Sequence, residues 1–216
     1  WHGLEIDQRP LDIALNEKKI HQVWSPKVLE FFQSLKKAGS WSEGFHEGTI
    51  HWGDARQKIY EINDLLTFDV ILLDPFSPQK CPELWSEQFI SLLSCKLSSK
   101  GRLITYSSAA SIRASLKRAG LEIYSIRPSS KDERKWSAGT VATKNQINEK
   151  LISKNCQLQK LGTRELEHLK TRSSIPYRDP TGRGNSKEII SNREKEQSKS
   201  QLINTSFWRK RWNTAQ

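Results

Sequence analysis

The sequence has no methionine, only three cysteines, and no apolar run near the ~18–20 residues that a membrane-spanning helix needs. Apolar residues make up 35% of its 216 positions, a low share for a compact globule, so part of the chain is expected to pack no core. Cys81, Cys95 and Cys156 are odd in number and show no C-x-x-C spacing. That argues against a disulfide scaffold or a zinc site and suits a reducing, cytoplasmic setting. No signal-peptide pattern opens the chain, so neither secretion nor a membrane location is expected. Without Met and beginning at Trp1, the natural start is expected to lie upstream. No Walker loop, nucleophilic Cys/His pair or metal-ligand cluster is visible, so none of those chemistries, and no metal, is indicated.

Positive charge is abundant and unevenly placed. Residues 1–142 carry 19 Lys/Arg and 17 Asp/Glu, a net of +2, whereas residues 143–216 carry 16 and 7, a net of +9. The second stretch is poor in apolar residues and rich in Ser, Asn, Gln and Lys, as weakly ordered segments are. A folded domain over 1–145 and a basic, partly disordered tail over 146–216 are therefore expected. Such a tail is either a solvated appendage or a phosphate-neutralising arm for nucleic acid. Near its end, Phe207-Trp208-Arg209-Lys210-Arg211-Trp212 interleaves aromatics with cations. That pattern can stack on bases and meet phosphates, or it can clasp the tail onto the core.

Short apolar runs alternate with amphipathic ones over the first 145 residues, the signature of an α/β protein with a doubly wound sheet. Gly3–Ile6 reads as a strand and Pro10–Lys18 as a helix. Ser25-Pro26 is an N-cap with proline at the first helical position, opening a helix that stops at Gly39. Thr49–Trp52 leads into Gly53-Asp54. Val70-Ile71-Leu72-Leu73 is continuously apolar, as a strand covered on both faces would be, and runs into Asp74-Pro75-Phe76-Ser77-Pro78. Pro82–Leu97 reads as a helix, Arg102–Tyr106 as a strand and Ala109–Ala119 as a helix. Leu121–Tyr124 and Gly139–Ala142 are expected to pair as antiparallel strands.

Sheets of this kind bind ligands at the carboxyl ends of their strands, where Asp7, Asp54 and Asp74 stand. Asp7, with Glu5 as its rival, is placed to accept from a ribose diol. Gly53 lets a ligand approach the backbone, and Asp54 can accept from an adenine amino group. A carboxylate following four buried apolar residues, as Asp74 is expected to, must be satisfied or functional. Pro75, Pro78 and Pro82 stiffen the loop, and Phe76 and Trp85 offer aromatic surface.

The segments FDVILLDPFSPQKCPELWSEQFISLL and GRLITYSSAASIRASLKRAGLEI resemble the methyltransferase domain of the MnmC family. The family pattern (Asp, a small residue, Phe-x-Pro-x-Lys, then Pro-x-x-Trp) falls on Asp74, Phe76, Pro78, Lys80, Pro82 and Trp85, with Pro75 where the family often has Gly. Upstream, Asp7 before Pro10-Leu11 and the pair Gly53-Asp54 match as well. The similarity covers about residues 3–143. It implies a Rossmann-like methyltransferase sheet using S-adenosyl-L-methionine to methylate the aminomethyl group of a wobble uridine in tRNA. Asp74, Phe76 and Pro78 would be catalytic, and Asp7, Gly53, Asp54 and Asp74 would hold the cofactor. Lys80 and Trp85 would meet substrate, with Arg209, Lys210 and Arg211 of the tail holding the anticodon stem-loop. The family's first strand and glycine-rich loop would lie before Trp1, making the sheet N-terminally incomplete. Its flavin-dependent oxidoreductase domain has no counterpart here, so a separate enzyme would supply the aminomethyl substrate. Two other readings stand beside this one: a polyamine aminopropyltransferase, which lacks support in a second acid after Asp74, and a non-catalytic RNA-binding protein.

Overall fold

The computed structural model describes residues 1–128, 137–148, 152 and 157–213; Cys156 lies outside them. The chain divides into two compact units, Trp1–Asp64 and Leu65–Gln216, and the strands form one sheet in each rather than the single sheet expected.

In the first unit, β1 (His2–Glu5) pairs in parallel with β3 (His46–Trp52), whose other edge takes β2 (Ser40–Glu43) antiparallel. The sequence reading missed β2, because Ser-Trp-Ser-Glu carries no apolar alternation. The expected helix over Pro10–Lys18 is two: Glu17 adopts an extended conformation that ends α1 (Arg9–Asn16), and its carboxylate accepts from Lys19 N to cap α2 (Lys18–Val23). α3 (Pro26–Ala38) keeps the predicted limits. Ser25 Oγ accepts from Val28 N, and Gly39 closes the helix in a left-handed conformation. α4 (Ala55–Lys58) follows β3 directly, and Leu35, Ile59 and Ile62 are buried.

In the second unit the sheet order is β4-β5-β7-β6-β8. β4 (Phe68–Leu72) and β5 (Leu97–Thr105) are parallel, while β6 (Glu122–Ile126) and β7 (Gly139–Thr143) form the expected antiparallel pair. β4 is not covered on both faces: Val70 and Leu72 are exposed and only Leu73, one residue beyond the strand, is buried. As the terminal strand of its sheet, β4 alternates between a packed side and an open one. The expected helix over Pro82–Leu97 breaks at Ser86. A 3-10 turn over Pro82–Trp85 precedes an extended Ser86, whose hydroxyl accepts from Phe89 N and starts α5 (Glu87–Lys96). α6 (Ala110–Arg118) is buried from Ala110 to Leu116.

The basic C-terminal stretch differs from the expected weakly ordered tail wherever it is described. β8 (Leu158–Lys160) adds to β6 as the last strand of the sheet. α7 (Thr163–His168), α8 (Ser186–Lys199) and α9 (Thr205–Arg211) follow. Leu158, Ile175, Tyr177, Ile189 and Trp208 are buried. A few large apolar anchors thus order a segment whose overall composition is polar.

Candidate active site

Two carboxylates of the first unit leave the same edge of its sheet. β1 and β3 run in parallel with Glu5 opposite Trp52, and Gly53 N donates to Glu5 O at 2.8 Å. Asp7 and Asp54 follow these two neighbouring ends. Gly53 takes φ of +133°, a conformation L side chains rarely adopt, and so turns the chain from β3 into the Asp54 cap.

Both acids are held in the same local way. Asp7 Oδ1 accepts from Arg9 N at 3.0 Å, and the Arg9 guanidinium closes a fork on the carboxylate with Nη2 at 2.6 Å from Oδ2. Asp54 Oδ1 accepts from Arg56 N at 3.0 Å, and Arg56 Nη2 lies 2.6 Å from Asp54 Oδ2. The sequence signal, an Asp-x-Arg after each strand, was present and unused. Hydrogen bonds from Arg9 hold the Asp7 carboxyl below its ordinary range. At Asp54 burial pushes the other way, but the Arg56 hydrogen bonds and charge outweigh it and the net shift is down. Both are therefore anionic acceptors at neutral pH. Glu5, the alternative to Asp7, turns back on its own chain: Oε1 accepts from Ile6 N at 2.8 Å and Asp7 N at 2.9 Å.

Asp74 belongs to the second unit. Leu73 N donates to Ile104 O at 2.9 Å, carrying the β4–β5 pairing up to the residue before it. Asp74 itself is exposed, and no hydrogen bond or ion pair reaches its carboxylate among the described residues. The loop beyond is held by its backbone. Tyr106 Oη donates to Pro75 O at 2.9 Å, Trp85 Nε1 donates to Phe76 O at 2.7 Å, and Ser77 O accepts from Lys80 N and Cys81 N. Phe76 is 77% exposed, Pro78 is half-buried and Lys80 is exposed.

Trp85 corrects the sequence reading. Its accessible surface is 0%, so it presents no face to a substrate and acts as a support beneath the loop. Tyr106, one residue beyond β5 as Asp74 is two beyond β4, was missed although β5 runs beside the strand that leads to Asp74. It packs edge-on against Trp85 with ring centroids 5.8 Å apart. Burial, and then the charge of Asp74, raise its phenol above the ordinary value, so it stays a donor.

The aromatic and basic cluster near the C-terminus is divided. Trp208 is buried, stacks on His168 at 4.0 Å and donates to Arg164 O at 2.8 Å. Trp212 Nε1 donates to Glu167 Oε2 at 2.8 Å. Both tryptophans clasp α9 to α7. Phe207, Arg209, Lys210 and Arg211 remain exposed, with Arg211 3.3 Å from Glu167. Among the described residues no His, Cys, Asp or Glu gather as a metal site. No helix there is long and apolar enough to cross a membrane.

Comparison with known proteins adds to this geometry. Over 75 residues the chain is 39% identical to the tRNA 5-methylaminomethyl-2-thiouridine biosynthesis bifunctional protein MnmC of Azoarcus sp., covering 35% of this chain and 12% of that protein. It is 32% identical over 114 residues to the uncharacterized protein MJ0670 of Methanocaldococcus jannaschii, covering 52% of this chain and 30% of that one. The chain thus spans less than a third of the length of either relative. The crystal structure of MNMC2 from Aquifex aeolicus superposes with a TM-score of 0.70 at 23% identity, covering 92% of this chain and 68% of that one. That likeness establishes the fold, the Rossmann-like α/β architecture expected from the sequence, and it extends over most of the C-terminal segment. A family model described as S-adenosyl-L-methionine-dependent methyltransferase matches residues 17–144, and the chain belongs to that family.

Proposed function

We propose that the protein transfers a methyl group from S-adenosyl-L-methionine to the aminomethyl group of a modified wobble uridine in tRNA. The observation that carries this reading is Asp74: an exposed carboxylate with no hydrogen-bond partner among the described residues, at the end of a parallel strand, on a loop whose backbone is tied down. The choice of acceptor is supported by the relative named for 5-methylaminomethyl-2-thiouridine biosynthesis.

The residues suit the cofactor. Asp7 and Asp54 are anionic acceptors at adjacent strand ends, as a ribose diol and an adenine amino group require. Each carboxylate has about four acceptor positions, and Arg9 is largely exposed, so a ligand hydroxyl can share or displace that guanidinium at little cost. When bound, S-adenosyl-L-methionine supplies a methyl group activated by its sulfonium.

Asp74 then accepts a hydrogen bond from the substrate amine and orients its lone pair. In-line displacement depends mainly on that alignment. Positive charge grows on nitrogen during transfer, and a fixed carboxylate stabilises it. The same carboxylate favours the protonated, unreactive amine. Solvent screens both effects alike, because Asp74 is exposed, and water is able to take the released proton. Phe76 and Pro78 shape the wall beside it, Lys80 lies on the same loop, and the exposed Arg209, Lys210 and Arg211 meet the RNA backbone. A flavin-dependent oxidoreductase activity would provide the aminomethyl nucleotide.

Methyl transfer to tRNA bearing that nucleotide tests the reading. Asp74→Ala should lower the rate by well over tenfold, as loss of a positioned electrostatic group does. An undiminished rate would remove Asp74 from the chemistry.

A further inference from the structure

We infer that Tyr106 is a positioning residue of this site: its hydroxyl fixes the backbone of the loop that carries Asp74 and Phe76, while its half-exposed ring borders the same surface. This rests on the methyl-transfer reading above.

The loop cannot anchor itself through its own side chains. Asp74, Phe76 and Ser77 are all exposed. Pro75 and Pro78 have no N–H to donate. Three successive carbonyl groups are engaged instead: Pro75 O by Tyr106 Oη, Phe76 O by Trp85 Nε1, and Ser77 O by Lys80 N and Cys81 N. With these carbonyls turned to their donors, the Asp74 and Phe76 side chains are left facing outward.

The two aromatic braces are not equivalent. Trp85 is sealed beneath the loop, whereas Tyr106 is 47% exposed and close enough to Asp74 to feel its charge. The edge-on contact between the rings makes Trp85 the fixed base against which Tyr106 is set. Tyr106 thus joins the end of β5 to the residue next to Asp74. Transfer in line tolerates little misplacement of the acceptor, so a carboxylate held by one fewer bond should serve it less well.

Tyr106→Phe separates the hydroxyl from the ring. It keeps the contact with Trp85 and the exposed face, and leaves Pro75 O free to take a water. In the full chain the unfolding midpoint should move by no more than a few degrees. Exchange of the N–H groups that donate into the same loop, Lys80 N and Cys81 N to Ser77 O and Trp85 Nε1 to Phe76 O, should quicken by about tenfold, since one hydrogen bond is worth roughly that. With modified tRNA, kcat should fall by about tenfold while KM for cofactor and RNA stays within about twofold. Unchanged exchange would overturn the brace, and faster exchange with unchanged kcat would overturn its part in transfer. A wild-type protein that methylates no tRNA would instead overturn the methyl-transfer reading, and the exchange comparison alone would then decide whether the hydroxyl holds the loop.

Discussion

Arg113 Nη1 donates to Glu165 Oε1 at 2.6 Å, with the two side chains 1% and 6% exposed. The pair joins α6 to α7, two elements 52 positions apart in sequence. The remaining donors of Arg113 are also satisfied: Nε by Thr140 Oγ1, and Nη2 by Ser125 Oγ, Ser137 Oγ and Gly139 O. Glu165 Oε2 in turn accepts from Gly162 N at 2.9 Å and caps α7. Burial lowers the basicity of this guanidinium and Glu165 partly restores it. A network this complete specifies one docking position for the C-terminal segment.

Removing Arg113 alone leaves a carboxylate buried without its partner. Arg113→Ala is expected to cost about 3–5 kcal/mol, measured by urea unfolding at pH 7. The double variant Arg113→Met/Glu165→Gln should recover part of that loss. Equal stability of wild type and Arg113→Ala would show that the pair contributes nothing.

His168 sits under Trp208 and gives acid sensitivity. Burial first, then the charges of Arg113, Arg209 and Arg164, lower its imidazole to about 4. The unfolded chain takes up this proton near 6.5 while the folded chain does not. Unfolding is therefore favoured progressively as pH falls from about 6.5 to about 4, and the contribution of the neutral imidazole is fully present above that window. The sum is at most about 3 kcal/mol. Urea midpoints between pH 7 and 4.5 should fall more steeply for wild type than for His168→Gln. Parallel curves would place the acid sensitivity elsewhere.

The sequence made the strand ends legible. Asp7, Asp54 and Asp74 follow short apolar runs, and periodicity locates such ends well. It said less about depth. Trp85 reads as an aromatic near a pocket, but only packing shows that both its faces are covered. The continuous apolar run Val70–Leu73 suggested a strand covered on both faces, yet β4 ends its sheet and Val70 and Leu72 are open. The C-terminal segment was hardest. Its average is polar, but Leu158, Ile189 and Trp208, together with one buried acid whose partner is 52 residues away, are enough to fold it. Compositional averages do not register a few long-range contacts of this kind.

Cofactor affinity should separate the acids of the first unit. Asp7→Ala is expected to weaken S-adenosyl-L-methionine binding by about tenfold or more, as loss of a charge-assisted hydrogen bond does. Asp54→Ala should also free the start of α4. Glu5→Ala should change affinity by less than about twofold, because its carboxylate is turned toward Ile6 N and Asp7 N. Calorimetry showing the reverse order would move the ribose contact to Glu5.

The tail calls for substitution rather than deletion as the test of RNA binding. Removing residues 146–216 would take away β8, the buried Glu165 and the Trp208 anchor, so a loss of affinity could simply report unfolding. The exposed cations of α9 can be neutralised while β8, Glu165 and Trp208 stay in place, although the charge of Arg209 also reaches His168. Arg209→Gln and Lys210→Gln remove charge from the exposed side of the helix, and Arg211→Gln removes the partner of Glu167. Phe207, 67% exposed, is the aromatic of this cluster left open to a base; Trp208 and Trp212 are engaged with α7. If this face holds tRNA, the triple variant should bind more weakly and its log-log salt slope should flatten by about 2, since each phosphate contact contributes roughly 0.7–0.9. Phe207→Ala should weaken binding while leaving the salt slope unchanged, because stacking releases no counterions. Neither change should alter cofactor affinity. Titrations at three salt concentrations, run beside thermal unfolding to show that the variants remain folded, decide the matter. Unchanged affinity and slope in the triple variant would assign RNA binding to the remaining basic surface of the chain.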